Sequence, residues 1–419
     1  MSNDAELEIE VGPHWTISSM ANGGVPGKPV ELTGERSAWF APGLTQYRDG
    51  LLQIGFSVDA DNYSRSAICR GMVLYSENKG DTWWFDTYKG GSPFEARDGM
   101  RYLYGGTSSE DGHFSVRQRD YFAIPRYLSY DRGRTWEGPE TVQLHLPEAD
   151  HASFNARPIV ELADGRLITP IYLSFRDDKT SRVVIVVSEN NGKRWEYLST
   201  VACDPPPNEP EFTEPVILQL ASGELLCMMR REGYCPMAQS FSTDQGRTWT
   251  EPVEVPADGV WPDLCRMESG IVACAYGRPN CNIMFSLDDG REWIQQTPII
   301  KTLVTPRIIR NYWGFTDDAV ASDATGNKLF ESVFRRYCGD PGDSAAIVEQ
   351  DRVEEGAWSK GYASVREIRP GELLYVYGVC NCPQDWRGGS LPTRQEMLAE
   401  NVPTLNRIMA TTIKVQRRR

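Results

Sequence analysis

Ionisable side chains stand at the start of one apolar strand after another, and they are the residues of this chain best placed by type and spacing to do chemistry. The recurring phrase is an apolar strand, a turn containing Gly and a second apolar strand. It reads APGLTQYRDGLLQIGFS (41–57), ARPIVELADGRLITPIYLSF (156–175), EPVILQLASGELLCMMRRE (214–232), PDLCRMESGIVACAYGRP (262–279) and ASVREIRPGELLYVYG (363–378). At or beside its start stand, in turn, Phe40 to Pro42, Arg157, Glu214, Asp263 and Tyr362, and Asp317 and Asp318 open a weaker copy at 316–337. Packing alone does not explain an arginine, several carboxylates and a tyrosine at matched positions, because a charge inside a fold is costly unless it is paired or used. Such a set can supply a base, a nucleophile and an anchor for an anion. A carboxylate can take the proton of a phenol whose free pKa, near 10, leaves it inert. Alternatively, Glu214 and Asp263 can act as a plain carboxylate pair with the tyrosine as a ring beside the substrate.

The elements that must hold these residues follow from a second repeat. SENKGDTW (76–83), SYDRGRTW (129–136), SENNGKRW (188–195), STDQGRTW (242–249) and SLDDGREW (286–293) are five copies of one phrase. An Asp or Asn accepts hydrogen bonds from backbone N–H groups a few residues on, the Gly supplies a positive φ, and the Trp buries its ring under the turn. Asn replaces Asp in the first and third copies, so the acid is scaffold rather than catalyst. Most copies follow an alternating or β-branched run such as RVVIVVS, which predicts strand, stapled turn, strand. Box and strand pair alternate at 44 to 59 residues, the rhythm of four strands per unit in a β-propeller blade. The expectation is an all-β propeller of six or seven blades. Residues 1–37 form an N-terminal segment that can lend a closing strand (HWTISS, 14–19), and 38–419 form a single domain whose last blade is completed by RIMATTIKV (407–415).

The bulk numbers narrow the partners. A net charge of −14 from 44 basic and 58 acidic residues argues against a nucleic-acid or anionic-membrane surface. None of the 10 cysteines forms a CxxC pair, no zinc or calcium motif occurs, and neither a metal nor a cofactor is indicated. The amino-terminal MSNDAELEIEVG is acidic without an apolar core, and no run of about 18 apolar residues could span a membrane. The expected setting is cytoplasmic, with reduced thiols.

With its five boxes, each after a strand, the chain resembles the sialidase-like (neuraminidase, Asp-box or BNR repeat) superfamily of β-propellers from about residue 38 onward. The superfamily includes hydrolases, lyases and non-catalytic modules. The resemblance implies a retaining, exo-acting glycoside hydrolase. Glu214 and Arg230, sixteen residues apart, match the sialidase phrase in which a Glu opens an inner strand and polarises a tyrosine. GYASVREIRPGELLYVYG matches the last sialidase blade and gives Tyr362 as that nucleophile. Arg278 stands where the third arginine of the family would lie, and Asp59 or Asp61, in SVDADNYSRS, stands in the loop that supplies the acid. Sialidases open with Phe-Arg-Ile-Pro, whereas this chain reads Trp39-Phe40-Ala41-Pro42. The clamp on the substrate carboxylate thus lacks an arginine unless Arg157 or Arg65 reaches in, and this argues against ordinary sialosides as substrates. Arg157, Arg230, Arg278 and Asp318 are the candidate substrate contacts, and the expected partner is a carbohydrate.

Two other readings stay open. A uronate lyase or a rhamnosyl-glucuronate-cleaving enzyme would use a histidine as acid and base, and His113 and His151 are its candidates, the latter six residues before Arg157. A non-catalytic carbohydrate-binding propeller would rely on the 12 Trp and 18 Tyr for stacking, but it would need no Glu214–Tyr362 pair.

Overall fold

The computed structural model describes residues 6–19, 38–59, 70–86, 92–105, 116–117, 120–154, 157–178, 180–203, 210–232, 236–277, 281–300, 357–358, 362–381 and 407–418. Among them the regular structure is all β. The strands in chain order are β1 (Leu7–Val11), β2 (Trp15–Ser19), β3 (Ala38–Gln46), β4 (Leu52–Asp59), β5 (Arg70–Ser76), β6 (Trp84–Asp86), β7 (Ser92–Glu95), β8 (Arg101–Tyr104), β9 (Val116–Arg117), β10 (Phe122–Ser129), β11 (Glu137–His145), β12 (Ala149–Ser153), β13 (Val160–Glu161), β14 (Leu167–Phe175), β15 (Arg182–Ser188), β16 (Arg194–Ala202), β17 (Phe212–Gln219), β18 (Leu225–Arg231), β19 (Pro236–Ser242), β20 (Val253–Asp258), β21 (Val260–Arg266), β22 (Val272–Gly277), β23 (Cys281–Ser286), β24 (Ile294–Ile300), β25 (Ala357–Trp358), β26 (Ala363–Arg369), β27 (Glu372–Asn381) and β28 (Arg407–Arg417).

Most sheets are antiparallel meanders in chain order. β3 to β6, β17 to β20 and β21 to β24 each form a four-stranded sheet. β7 to β16 form two meanders joined edge to edge where β11 pairs in parallel with β16, Gln143 opposite Arg194. The last sheet runs β26, β27, β28, β1, with β2 also on β28 and β25 on β27.

Successive side chains of a strand point to opposite faces, and here each face meets a different core. In β15, Val184 and Val186 enter a core shared with Ile124 and Val142, while Val183 and Ile185 enter another with Ile217 and Leu225. In β22, Val272 and Cys274 pack toward Met228, whereas Ala273 and Ala275 pack toward Tyr375. In β27, Leu373 and Tyr375 share that last core, while Leu374 and Val376 meet Leu44 and Ile54 of the first sheet. A sheet buried on both faces needs an unbroken apolar run, which explains sequences such as RVVIVVS. The remaining neighbours, the β3–β6 and β7–β11 sheets, are tied by ions. Arg101 lies 3.8 Å over the Tyr47 ring and pairs with Asp49 at 2.7 Å, and the Arg48 N–H donates to Glu95 at 2.8 Å.

The five stapled turns share one set of bonds. The Gly N–H donates to the Ser Oγ at 2.7–2.9 Å and that hydroxyl donates to Oδ1 of the Asp or Asn. The N–H four residues beyond the Asp or Asn donates to the same Oδ1 at 2.8–2.9 Å. The turn of one sheet also presses on the sheet before it. Trp293 Nε1 donates to Gln239 of β19 at 2.7 Å, and Gln239 returns a 2.9 Å bond to the Gly290 carbonyl. A side chain at Gly290 would be strained by its φ of +86°, and its Cβ, 2.7 Å from the end of Leu226, would push that residue aside. By register, Ser242 lies opposite Leu225 while Arg230 ends the same hairpin opposite Thr213. The stapled turn is therefore at the end of the strands remote from Glu214.

Candidate functional site

The first strands of three sheets break register at an X-Pro pair: β3 between Phe40 and Gly43, β17 between Thr213 and Val216, and β21 between Val260 and Asp263. Proline has no N–H to give a ladder and is confined to edges and bulges, so Ala41-Pro42, Glu214-Pro215 and Trp261-Pro262 each force a bulge. Arg157-Pro158 holds the corresponding place before β13. The residue before the proline is re-aimed, and Glu214 has φ +44° and Trp261 φ +52°. Left-handed backbone costs a non-glycine residue on the order of 1 kcal/mol or more, and it persists where surrounding contacts over-determine it.

Those contacts bring the residues together. Glu214 is buried, and its Oε1 accepts from Arg230 Nη1 at 3.0 Å while its Oε2 accepts from the Trp261 N–H at 2.9 Å. Arg230 Nη2 reaches Glu232 Oε2 at 2.7 Å, and Thr213 Oγ1 donates to Glu232 Oε1 at 3.0 Å. The Trp261 indole carries the Arg157 guanidinium 3.7 Å above its face, and the ring of Tyr362 meets it edge-on, centroids 5.1 Å apart at 89°. Arg157 Nη2 donates to the Pro262 carbonyl at 3.0 Å. Burial pulls the Arg157 pKa down to about 10, against the opposing field of Asp263 and Glu214.

Asp263 lies two residues past Trp261 and serves a different set of partners. Its buried Oδ2 accepts from the Ser364 hydroxyl, from the Val365 N–H at 3.0 Å and from Arg366 Nη1 at 2.8 Å. Ser364 Oγ in turn accepts from the Leu44 N–H at 3.0 Å. Asp263 thus ties β21 to β26 and, through Ser364, to β3. The residue of β21 that matches Glu214 by bulge and by φ is Trp261, and the match in β3 is Ala41 rather than Phe40. The X-Pro pairs are the signal in the sequence that locates Trp261. Tyr172 of β14 is a further neighbour, within the electrostatic field of Glu214, Glu232 and Arg230, and its phenol is pushed up by burial.

Asp59 ends β4 opposite Ala38, at the X-Pro end of its sheet. His151 lies in β12 opposite Ser174, near the corresponding end of β14. Asp61, Arg65, His113, Arg278, Asp317 and Asp318 lie outside the described residues. Among the described residues no group of three or more His, Cys, Asp or Glu side chains is placed to hold a metal ion.

A model of the BNR repeat-like domain matches residues 91–304. The chain belongs to that family. This BNR repeat-like chain has no match among curated proteins, but its fold recurs in solved structures. A Dyadobacter fermentans protein of unknown function aligns with TM-score 0.59 at 12% identity, over 97% of this chain and 99% of that one. The intramolecular trans-sialidase of Ruminococcus gnavus aligns with TM-score 0.56 at 12% identity, over 94% and 98%. An α-L-arabinanase of Penicillium chrysogenum gives TM-score 0.54 at 14% identity, over 97% and 98%. The family match and these neighbours put the chain in the sialidase-like superfamily, with glycoside hydrolases among its structural relatives. At such identities the likeness is one of fold.

Proposed function

We propose that the protein is a retaining, exo-acting glycoside hydrolase built on a six-bladed propeller, the five stapled turns being its Asp boxes. The blade count is supported by the cores that link consecutive sheets and by the ionic seam between the first and second. In the mechanism, Tyr362 attacks the anomeric carbon and Glu214 withdraws the phenolic proton. A carboxylic acid from the loop after β4, Asp59 or Asp61, protonates the leaving oxygen and later activates water. The observation that carries this reading is the Trp261 bridge: one residue donates its N–H to Glu214 and holds the ring of Tyr362. A sugar-binding module needs neither a strained Glu nor a phenol held against the tryptophan that the Glu binds. Arg230, engaged by two carboxylates, orients Glu214 and limits its own freedom to clamp a substrate.

The test is a panel of aryl glycosides and uronate oligosaccharides, with absorbance of an unsaturated product reporting a lyase. On the substrate turned over, Tyr362→Phe is expected to lower kcat by at least about a thousandfold, since it deletes the nucleophile alone. A loss of only about tenfold, the scale of one hydrogen bond, with Asp263→Asn nearly inactive, would instead make the carboxylate pair the catalyst. Tyr172→Phe serves as the control and is expected to retain most activity.

A further inference from the structure

The first strand of a sheet pairs on one side only, and the N–H groups along its other edge need acceptors from elsewhere. β26 pairs with β27 alone, and side chains of β21, in the sheet before it, serve its free edge. Asp263 accepts the Val365 N–H at 3.0 Å, and the sulfur of Cys265, two residues on, accepts the Glu367 N–H. The next residue back in that alternating series is Trp261, and its indole meets the Tyr362 ring edge-on, centroids 5.1 Å apart. Three side chains of β21 thus run in step beside 362, 365 and 367 of β26. Asp263 is the strongest of the three links, because its Oδ2 also takes the Ser364 hydroxyl and Arg366 Nη1, the latter at 2.8 Å. An edge-on ring pair is a weak constraint by comparison. A buried ion pair seldom adds net stability over apolar packing of the same volume. What this one adds is geometry: a single oxygen fixes three consecutive residues, beginning two beyond Tyr362.

We propose that Asp263 is a positioning residue for Tyr362. It sets how far β26 is advanced along β21, and so where the phenol stands relative to Trp261 and to the Glu214 carboxylate that the Trp261 N–H holds. The Leu44 N–H, donating to Ser364 at 3.0 Å, steadies the same segment from β3. The inference rests on reading Tyr362 as the nucleophile, and it gives Asp263 a part in that chemistry other than the second carboxylate of a pair. Attack on a carbon is sensitive to placement, and a displacement of about 1 Å can cost on the order of a hundredfold in rate. Asp263 therefore acts through the phenol, by holding its strand.

Two measurements on the full chain test it, one without substrate. The nuclear magnetic resonance signal of the Trp261 indole N–H, assigned by its loss in Trp261→Phe, reports the ring beside it, and Tyr362→Leu shows how far it moves when that ring is lost. Asp263→Ala is expected to move the signal by a comparable amount while the Trp293 signal, from the stapled turn whose indole holds Gln239, stays in place. The second measurement uses an aryl glycoside that the protein turns over. Asp263→Ala is expected to lower kcat by about a hundredfold with KM within about threefold of the parent, and Asp263→Asn, which keeps one acceptor oxygen, to lower kcat by about tenfold. Neither is expected to lower further the residual turnover of Tyr362→Phe, because a residue that acts through the phenol has nothing left to place. A folded Asp263→Ala protein with the Trp261 signal unmoved, or with a loss of kcat that adds in full to that of Tyr362→Phe, would overturn the proposal. Should Asp263→Ala fail to fold, as stripping a buried arginine of its partner can cause, Asp263→Asn and Ser364→Ala decide it, and an unmoved Trp261 signal in both counts against. If no glycoside is turned over, the hydrolase reading fails while the Trp261 signal still decides whether Asp263 places the ring, so the two failures are separable.

Discussion

Arg157 shows at the level of one residue what burying a cation costs. Its folded pKa of about 10 lies below the ordinary value of 12.5. Between those two values the folded protein has released a proton that the unfolded chain still binds, so stability from this group rises with pH there and is lowest below about 10. Arg157→Met is therefore expected to unfold at neutral pH at a urea midpoint no lower than that of the parent, unlike most truncations of a buried side chain. As pH is raised through about 10 the comparison should move in favour of the parent. Parallel urea titrations at several pH values check this, and a loss on the scale of a core cavity would contradict it. Such a result is compatible with function, since a group kept for binding need not add to stability.

The stapled turn is the element whose energetics can be read most directly. In Asp244, burial works to raise the pKa, but the hydroxyl and N–H of Thr248 and the Ser242 hydroxyl hold it at about 2, below the ordinary 3.8. The stability this gives is present above the ordinary value and is lost as pH falls from about 4 to about 2. Asn78 and Asn190 make the Oδ1 bonds equally well. Asp244→Asn is thus expected to cost under about 1 kcal/mol near neutrality and to flatten the acid limb, while Asp244→Ala costs about 1–2 kcal/mol. Denaturant unfolding at about pH 7 and about pH 3 distinguishes them. These turns were legible in the sequence because each is local: the serine, the Asx, the glycine and the tryptophan lie within eight residues. Family phrases singled out Glu214, Arg230 and Tyr362, and the structure joins the first two in an ion pair and sets the third against Trp261. Trp261 was not legible, because its role depends on a bulge that carries its N–H to the neighbouring strand, and strand periodicity places Asp263 in its stead. The X-Pro pairs hold that information, but only when aligned across sheets. The inter-sheet bonds of Asp263 were equally hidden, since its partners Ser364 to Arg366 are remote in sequence.

The ends of the chain meet in one sheet, which makes the whole molecule depend on an outer strand. Leu7 is buried, and β1 pairs with β28 from Leu7 opposite Arg417 to Val11 opposite Ile413. Gln295 of β24 clasps that strand from the adjacent sheet, accepting from the Leu7 N–H at 3.1 Å and donating to the Leu7 carbonyl at 2.9 Å. This amide imitates a ladder partner, so Gln295→Ala is expected to cost about 1–2 kcal/mol and to speed hydrogen exchange over residues 7–11 more than over 183–186. Equal exchange rates in both segments of the variant and the parent would show that the clasp is incidental.

The pairing of β1 with β28 also sets an order of events. β1 is translated long before β28 and cannot find its place until β28 has emerged, and loop closure over such a separation is among the slow steps of folding. Protection of Ile9 in a refolding experiment should consequently trail that of Val184, whose partners are local. Until that late encounter the last sheet carries an open edge, and the interval before it is when the chain is most exposed to mispairing with another copy of itself.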